Sequence, residues 1–134
     1  MSNNYAGKFV SAETAVKAVQ PGDWVDYGFG AGFPELLDRA LAARRDELTD
    51  VKIRGGLVIR PRIEVVESDP EQKAFSYYSW HIGDYERKLQ SRGLCTFMPM
   101  ILRYLPQLYR NHIRVDVAFV PVSRPDEQGY CGLG

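Results

Sequence analysis

The chain has 134 residues, 45% of them hydrophobic and 25% charged, enough for one domain with a packed core. Seventeen Lys and Arg balance seventeen Asp and Glu, which argues against a sequence-independent nucleic-acid binder, since that needs a positive excess or a basic face. No apolar run approaches the roughly 18–20 residues that cross a bilayer, so no membrane partner is expected.

The elements follow in chain order. Met1-Ser2-Asn3-Asn4-Tyr5 lacks the basic-then-apolar pattern of a secretory leader. Ser11-Ala12-Glu13-Thr14 resembles a capping box and opens a short helix carrying Ala15, Val16, Ala18 and Val19 on one side. Pro21-Gly22 ends it, and Trp24 to Tyr27 form the first strand. Next come Gly28, Gly30 and Gly32, then Phe33-Pro34, with proline expected at the first helical position. Leu36, Leu37, Ala40 and Leu41 recur at helical spacing and should face the sheet, with Glu35, Asp38, Arg39 and Arg44 outside.

Asp50 to Val58 reads as a second strand in which Gly55-Gly56 mark a bulge or a close approach. Arg60 to Gln72, with two prolines and many charges, reads as a surface loop with one short apolar piece at Ile63 to Val66. Ala74 to Trp80 is strand-like, Gly83 to Gln90 helical, and Leu94 to Met98 a short strand. Met100 to Arg110 looks helical, with Pro106 expected to end or kink it. Arg114 to Val122 is nearly continuously apolar, as in a parallel strand covered on both faces. Strands alternating with helices define an α/β domain with a largely parallel sheet flanked by helices.

Chemistry concentrates at the strand ends, where such folds bind ligands. The turn Gly28 to Pro34 follows a strand directly and precedes a helix whose free N–H groups favour a carbonyl, carboxylate or phosphate. Packing geometry alone also produces such a turn. It is not a Walker loop, and the third glycine of a dinucleotide fingerprint would fall at Phe33. His81 reads as a carbonyl-polarising group or as a hydrogen-bonded structural histidine beside an aromatic strand. Cys95 and Cys131 have neither CxxC nor His-paired spacing, so free thiols, a cytoplasmic location and no metal are expected. No activated nucleophile is evident.

Several segments, taken in order, carry a family resemblance. They are Lys8-Phe9-Val10-Ser11-Ala12-Glu13, Gly22-Asp23-Trp24-Val25-Asp26-Tyr27-Gly28 and Asp50-Val51-Lys52-Ile53-Arg54-Gly55-Gly56. They continue with Ser79-Trp80-His81, Glu86-Arg87-Lys88, Leu105-Pro106-Gln107-Leu108-Tyr109-Arg110-Asn111, Val115-Asp116-Val117-Ala118 and Asp126-Glu127-Gln128-Gly129-Tyr130. The set resembles the N-terminal half of CoA-transferases of the acetyl-CoA hydrolase/transferase group, nearest the butyryl-CoA:acetate type and more distantly the 4-hydroxybutyrate type. Arg103-Tyr104 before Leu105-Pro106, Gln128 and Gly132 depart from the usual Ser-Glu, His and Ser.

The resemblance implies a CoA-transferase-like (NagB/RpiA-like) fold, with residues 1–134 as the N-terminal domain. It implies movement of CoA between an acyl-CoA and a short-chain carboxylate such as acetate, with the CoA thioester as substrate and no separate cofactor. The reactive glutamate, which forms a glutamyl-CoA intermediate, would belong to a C-terminal half, and the full protein would be a homo-oligomer. No catalytic residue is therefore expected here. Substrate contacts are expected from Gly28, Gly30, Gly32, Phe33, Pro34, Gly55, Gly56, Trp80 and His81. The alternative is a noncatalytic acyl-CoA-binding or structural subunit.

Overall fold

The computed structural model describes residues 8–133; Met1 to Tyr5, read above for a leader, and Gly134 lie outside them. Ser11 caps the first helix α1 (Ala12–Ala15), its hydroxyl accepting from the Thr14 N–H at 3.2 Å. A 3-10 turn (Val16–Ala18) follows, and Val16 and Val19 are fully buried. Strand β1 (Trp24–Phe29) then enters the sheet.

A second 3-10 turn (Gly30–Gly32) leads to α2 (Glu35–Ala42). Pro34 is its cap residue rather than its first helical residue. β2 (Val51–Gly56) is shorter than the pattern suggests, because Asp50 and Leu57 take left-handed conformations (φ 56° and 48°) and bracket it. The irregularity expected at Gly55-Gly56 falls in the partner strand, where the register shifts between Asp26 and Phe29 opposite Gly56.

The stretch read as a surface loop contains α3 (Glu64–Glu67). Ile63, Val65 and Val66 are buried, so this piece belongs to the core. β3 (Phe75–Ser79), α4 (Asp84–Ser91) and β4 (Thr96–Phe97) follow close to expectation. Pro106 neither ends nor kinks a helix. A 3-10 turn (Leu102–Tyr104) comes first, and Pro106 sits in the opening turn of α5 (Leu105–Asn111), where its missing N–H has no partner to lose. β5 (Val117–Phe119) completes the set.

The five strands lie in the order β4-β3-β2-β1-β5 and every pairing is parallel. The chain walks outward from β1 to β4, then crosses back to place β5 on the other side of β1. Right-handed crossovers therefore put α2, α3 and α4 on one face and α5 on the other. The first face holds the core, in which Val25, Tyr27, Val51, Ile53, Phe75 and Tyr77 meet Leu41, Ile63, Val65 and Leu89. β5 is an edge strand of three residues, not the doubly covered strand its sequence suggests. Val115, Val120 and Val122, just outside the strand, are exposed, and among the described residues only β1 pairs with β5.

The helix stripe of α2 is also rotated from expectation. Leu36 is 69% exposed, whereas Asp38 is fully buried. Leu37, Ala40 and Leu41 do face the core. Asp38 turns inward because it has partners there: its carboxylate accepts the Tyr27 hydroxyl at 3.1 Å and the N–H groups of Glu64 and Val65 at 2.6 and 3.4 Å. One side chain of α2 thus caps the start of α3.

Burial pushes the Asp38 carboxyl up from 3.8 to about 6, against the opposing pull of those hydrogen bonds. The folded state therefore binds this proton more tightly than the unfolded chain does. The associated stability is complete below about pH 4 and is lost as pH rises through about 6, on the order of 3 kcal/mol in all. Asp38→Asn is expected to flatten this slope. Urea unfolding of both proteins from pH 4 to 7 measures it, and parallel curves would exclude Asp38 as the source.

Candidate functional site

The strand order reverses between β1 and β5, and this switch point is where such sheets leave a crevice beyond the carboxyl ends of the strands. The glycine turn occupies it. A Cβ on Gly28 would stand 2.1 Å from the Gly32 carbonyl oxygen, so the turn folds back directly over Gly28. A Cβ on Gly32 would meet nothing within 4 Å. The glycines thus have different duties: Gly28 permits the fold-back, and Gly32 presents backbone to open space. Gly30 takes the left-handed conformation at φ 52°.

Three adjoining hollows run along this edge. The first, about 610 Å³, lies between the turn (Gly28, Phe29, Ala31, Gly32) and the segment after β5 (Val120 to Ser123), with Leu133 closing it. The second, about 250 Å³, is bounded by Phe29, Leu57, Trp80, His81, Met100 and Leu102. The third, about 840 Å³, lies between residues 57–61 and 81–85, with Lys88 at its side. Phe29 borders the first and second, and Leu57 and His81 border the second and third. The three hollows thus neighbour one another along this edge, and the middle one is lined mainly by apolar side chains.

Gly56 brings these walls together. A Cβ there would stand 2.7 Å from the Phe29 ring and 3.1 Å from the His81 nitrogen. Leu57 continues the path by donating its N–H to the His81 carbonyl at 2.8 Å. Beneath, Glu86 is fully buried and accepts from the N–H groups of Val58 (2.8 Å) and Gly83 (3.1 Å), fastening the loop after β2 to the start of α4.

The structure brings Gly28, Gly32, Trp80 and His81 to the groove and sets Gly56 behind it. Gly55 faces the core, where a Cβ would lie 3.1 Å from the Tyr77 hydroxyl. Phe33 packs edge-on to Tyr27 at 5.5 Å and is buried, as is Pro34. Sequence reading does not single out Phe29, Leu57, Met100 or Leu102. The positive φ of Leu57 leaves no local sequence signal, and Met100 and Leu102 reach the groove only through the long crossover from β4 to β5.

The sheet's second face carries a polar cluster that the sequence pattern does not reveal. Asp26 and Arg54 are register partners, and their side chains form an ion pair with Arg54 2% and Asp26 11% exposed. Tyr109, from α5, donates its hydroxyl to the same carboxylate. The Arg54 guanidinium lies 5.0 Å from the Trp24 ring, 5.4 Å from Trp80 and 5.5 Å from Tyr109. It also donates to the Arg114 carbonyl at 3.0 Å. Burial pushes the Asp26 carboxyl above its ordinary value while Tyr109 and Arg54 pull it back. Burial, then the bond to Asp26, holds the Tyr109 hydroxyl up at about 12, so it stays a donor.

An all-parallel sheet with helices on both faces and a glycine turn at its switch point places the domain in the doubly wound α/β class. The acetyl-CoA hydrolase/transferase N-terminal domain model matches residues 1–134, and the chain belongs to that family. It is 41% identical over 131 residues to butyryl-CoA:acetate CoA-transferase of Anaerostipes caccae, covering 97% of this chain and 29% of that protein. It is 37% identical to the probable butyrate:acetyl-CoA coenzyme A-transferase of Syntrophomonas wolfei, with the same coverage. The 4-hydroxybutyrate coenzyme A transferase of Clostridium kluyveri stands at 28%.

Among solved structures, a point mutant of RipA superposes with a TM-score of 0.82 at 26% identity, over 97% of this chain and 32% of that one. RipA from Yersinia pestis gives 0.77 at 25%, over 93% and 31%. The chain therefore spans less than a third of the length of these relatives. No described helix is long and apolar enough to cross a membrane.

The first hollow predicts opposite responses at two neighbouring glycines. Gly28→Ala forces the turn open and should destabilise by about 1–3 kcal/mol or more. Gly32→Ala should stay within about 0.5 kcal/mol of the parent. Thermal and urea unfolding of the two variants tests the contrast.

Proposed function

We propose that this chain forms one wall of a CoA-transfer cleft, in a protein that moves CoA between a short-chain acyl-CoA such as butyryl-CoA and a carboxylate such as acetate. The observation that carries this reading is the apolar central hollow at the strand ends, in a chain 41% identical to a butyryl-CoA:acetate CoA-transferase. The acyl chain would lie among Phe29, Leu57, Trp80, Met100 and Leu102. The backbone around Gly32 would face the thioester or the entering carboxylate.

The reactive glutamate would come from a further part of the protein. The buried carboxylates of this chain support that division, because their oxygens are already engaged. Asp38 and Glu86 hold backbone N–H groups, as does Asp69, and Asp26 holds Arg54 and Tyr109. In the proposed reaction the glutamate carboxylate attacks the thioester carbonyl and expels CoA thiolate, leaving an acyl–glutamyl anhydride. The thiolate then attacks the glutamyl carbonyl, releasing the first carboxylate and forming glutamyl-CoA. The acceptor carboxylate reverses the sequence. Both intermediates react with water, so an apolar wall protects the exchange as well as orienting the acyl group. No separate cofactor enters this scheme. A cytoplasmic location and a homo-oligomer accord with the same reading.

Full-length protein containing this chain should exchange label between acetate and butyryl-CoA; a folded protein that does not would overturn the assignment. Gly32→Val should retain folding, since its side chain enters open space. It should slow turnover roughly tenfold or more by crowding the thioester and the entering carboxylate. Unchanged kinetics would remove the turn from the cleft.

A further inference from the structure

The groove is shaped from behind. Trp80 is 7% exposed; it borders the central hollow, and its ring centre lies 5.4 Å from the buried Arg54 guanidinium. Tyr109 touches the same indole, with ring centres 6.4 Å apart. Tyr109 also belongs to α5, which continues directly from the 3-10 turn containing Leu102. The Arg54 bond to the Arg114 carbonyl fixes the approach to β5, whose continuation walls the neighbouring hollow. One guanidinium therefore connects β1, β2, the indole, α5 and the entry to β5.

We propose that Arg54, with Tyr109 and Asp26, is a positioning group that sets the width of the central hollow and hence the length of acyl chain admitted. This rests on the acyl-transfer reading given above. Arg54 touches no substrate. It acts through Trp80, held by the cation 5.4 Å from its ring centre, and through Leu102, held by the tether of α5 to Asp26.

A planar guanidinium has properties that lysine lacks at this position. It stacks on several rings and bonds in two directions at once. Arg54→Lys keeps the charge beside Asp26 but loses the planar cation beside Trp80 and the bond to the Arg114 carbonyl. Tyr109→Phe keeps the ring but releases α5 from Asp26. Both changes loosen the hollow without altering a residue that lines it.

The experiment uses full-length protein and a series of straight-chain acyl-CoA donors from acetyl to hexanoyl. Arg54→Lys should raise the kcat/KM ratio of hexanoyl to butyryl by ~3- to 10-fold, through KM for the longer chain, with kcat on butyryl-CoA little changed. Tyr109→Phe should shift the ratio in the same direction by a smaller factor. Near-ultraviolet circular dichroism should change in Arg54→Lys, because both tryptophans of this chain border the guanidinium. A folded pair of variants with the parent chain-length profile would overturn the inference, as would an equal loss of rate at every chain length. Should Arg54→Lys not fold, Tyr109→Phe decides alone by the same criterion. A parent protein active on none of the donors would overturn the acyl-transfer reading itself, and the inference with it.

Discussion

The pairing of Asp26 with Arg54 is the constraint around which the second face of the sheet is organised. Each occupies the register position opposite the other on adjacent parallel strands. An ion pair with so little water contact loses hydration on both partners, so its net contribution to stability is small. Its value is geometric. The carboxylate must accept and the guanidinium must donate, and the two together recruit Tyr109, Trp24, Trp80 and the Arg114 carbonyl into fixed places. α5 lies on this face, and Tyr109 ties it to the sheet through its hydroxyl on Asp26 and its ring beside Arg54 and Trp80.

The opposite face works by different means. There, aliphatic side chains of three helices fill the space, and buried acids serve as caps for backbone amides. Asp38 closes the start of α3, Glu86 the start of α4, and Asp69 the three N–H groups of Lys73, Ala74 and Phe75 leading into β3. These short helices and tight entries leave many amides without helical partners. Carboxylates satisfy them, Asp38 from another helix, Glu86 from within its own and Asp69 from the turn just before β3, which explains polar residues at positions that a packed core would otherwise refuse.

Much of this is legible in the residues. Parallel α/β architecture follows from apolar runs alternating with helical stripes, and the glycine turn is recognisable from Gly28, Gly30 and Gly32 after a strand. The Ser11 cap is also visible, because its bond is local. What escapes is decided by distant partners. Nothing near Asp38 signals that Tyr27 and α3 await it, so its polarity points outward and Leu36, which helical spacing places inside, lies at the surface instead. The apolar length of β5 suggests cover on both faces, although the described residues cover it thinly. At the site, strand ends can be located, yet the wall contributed by Met100 and Leu102 depends on a crossover spanning the sheet.

The open flank of β5 has a practical consequence for handling the polypeptide. A strand edge offers unpaired amides and carbonyls to any extended segment, and charged residues or proline are the usual deterrents. Here β5 is preceded by Arg114, Val115 and Asp116 and followed by Val120, Pro121 and Val122, with all three valines exposed. The ladder itself is three residues long, too short to template an extended cross-β stack unaided. The apolar border is thus brief, and a lysine in place of Val120 or Val122 would add a charge beside it.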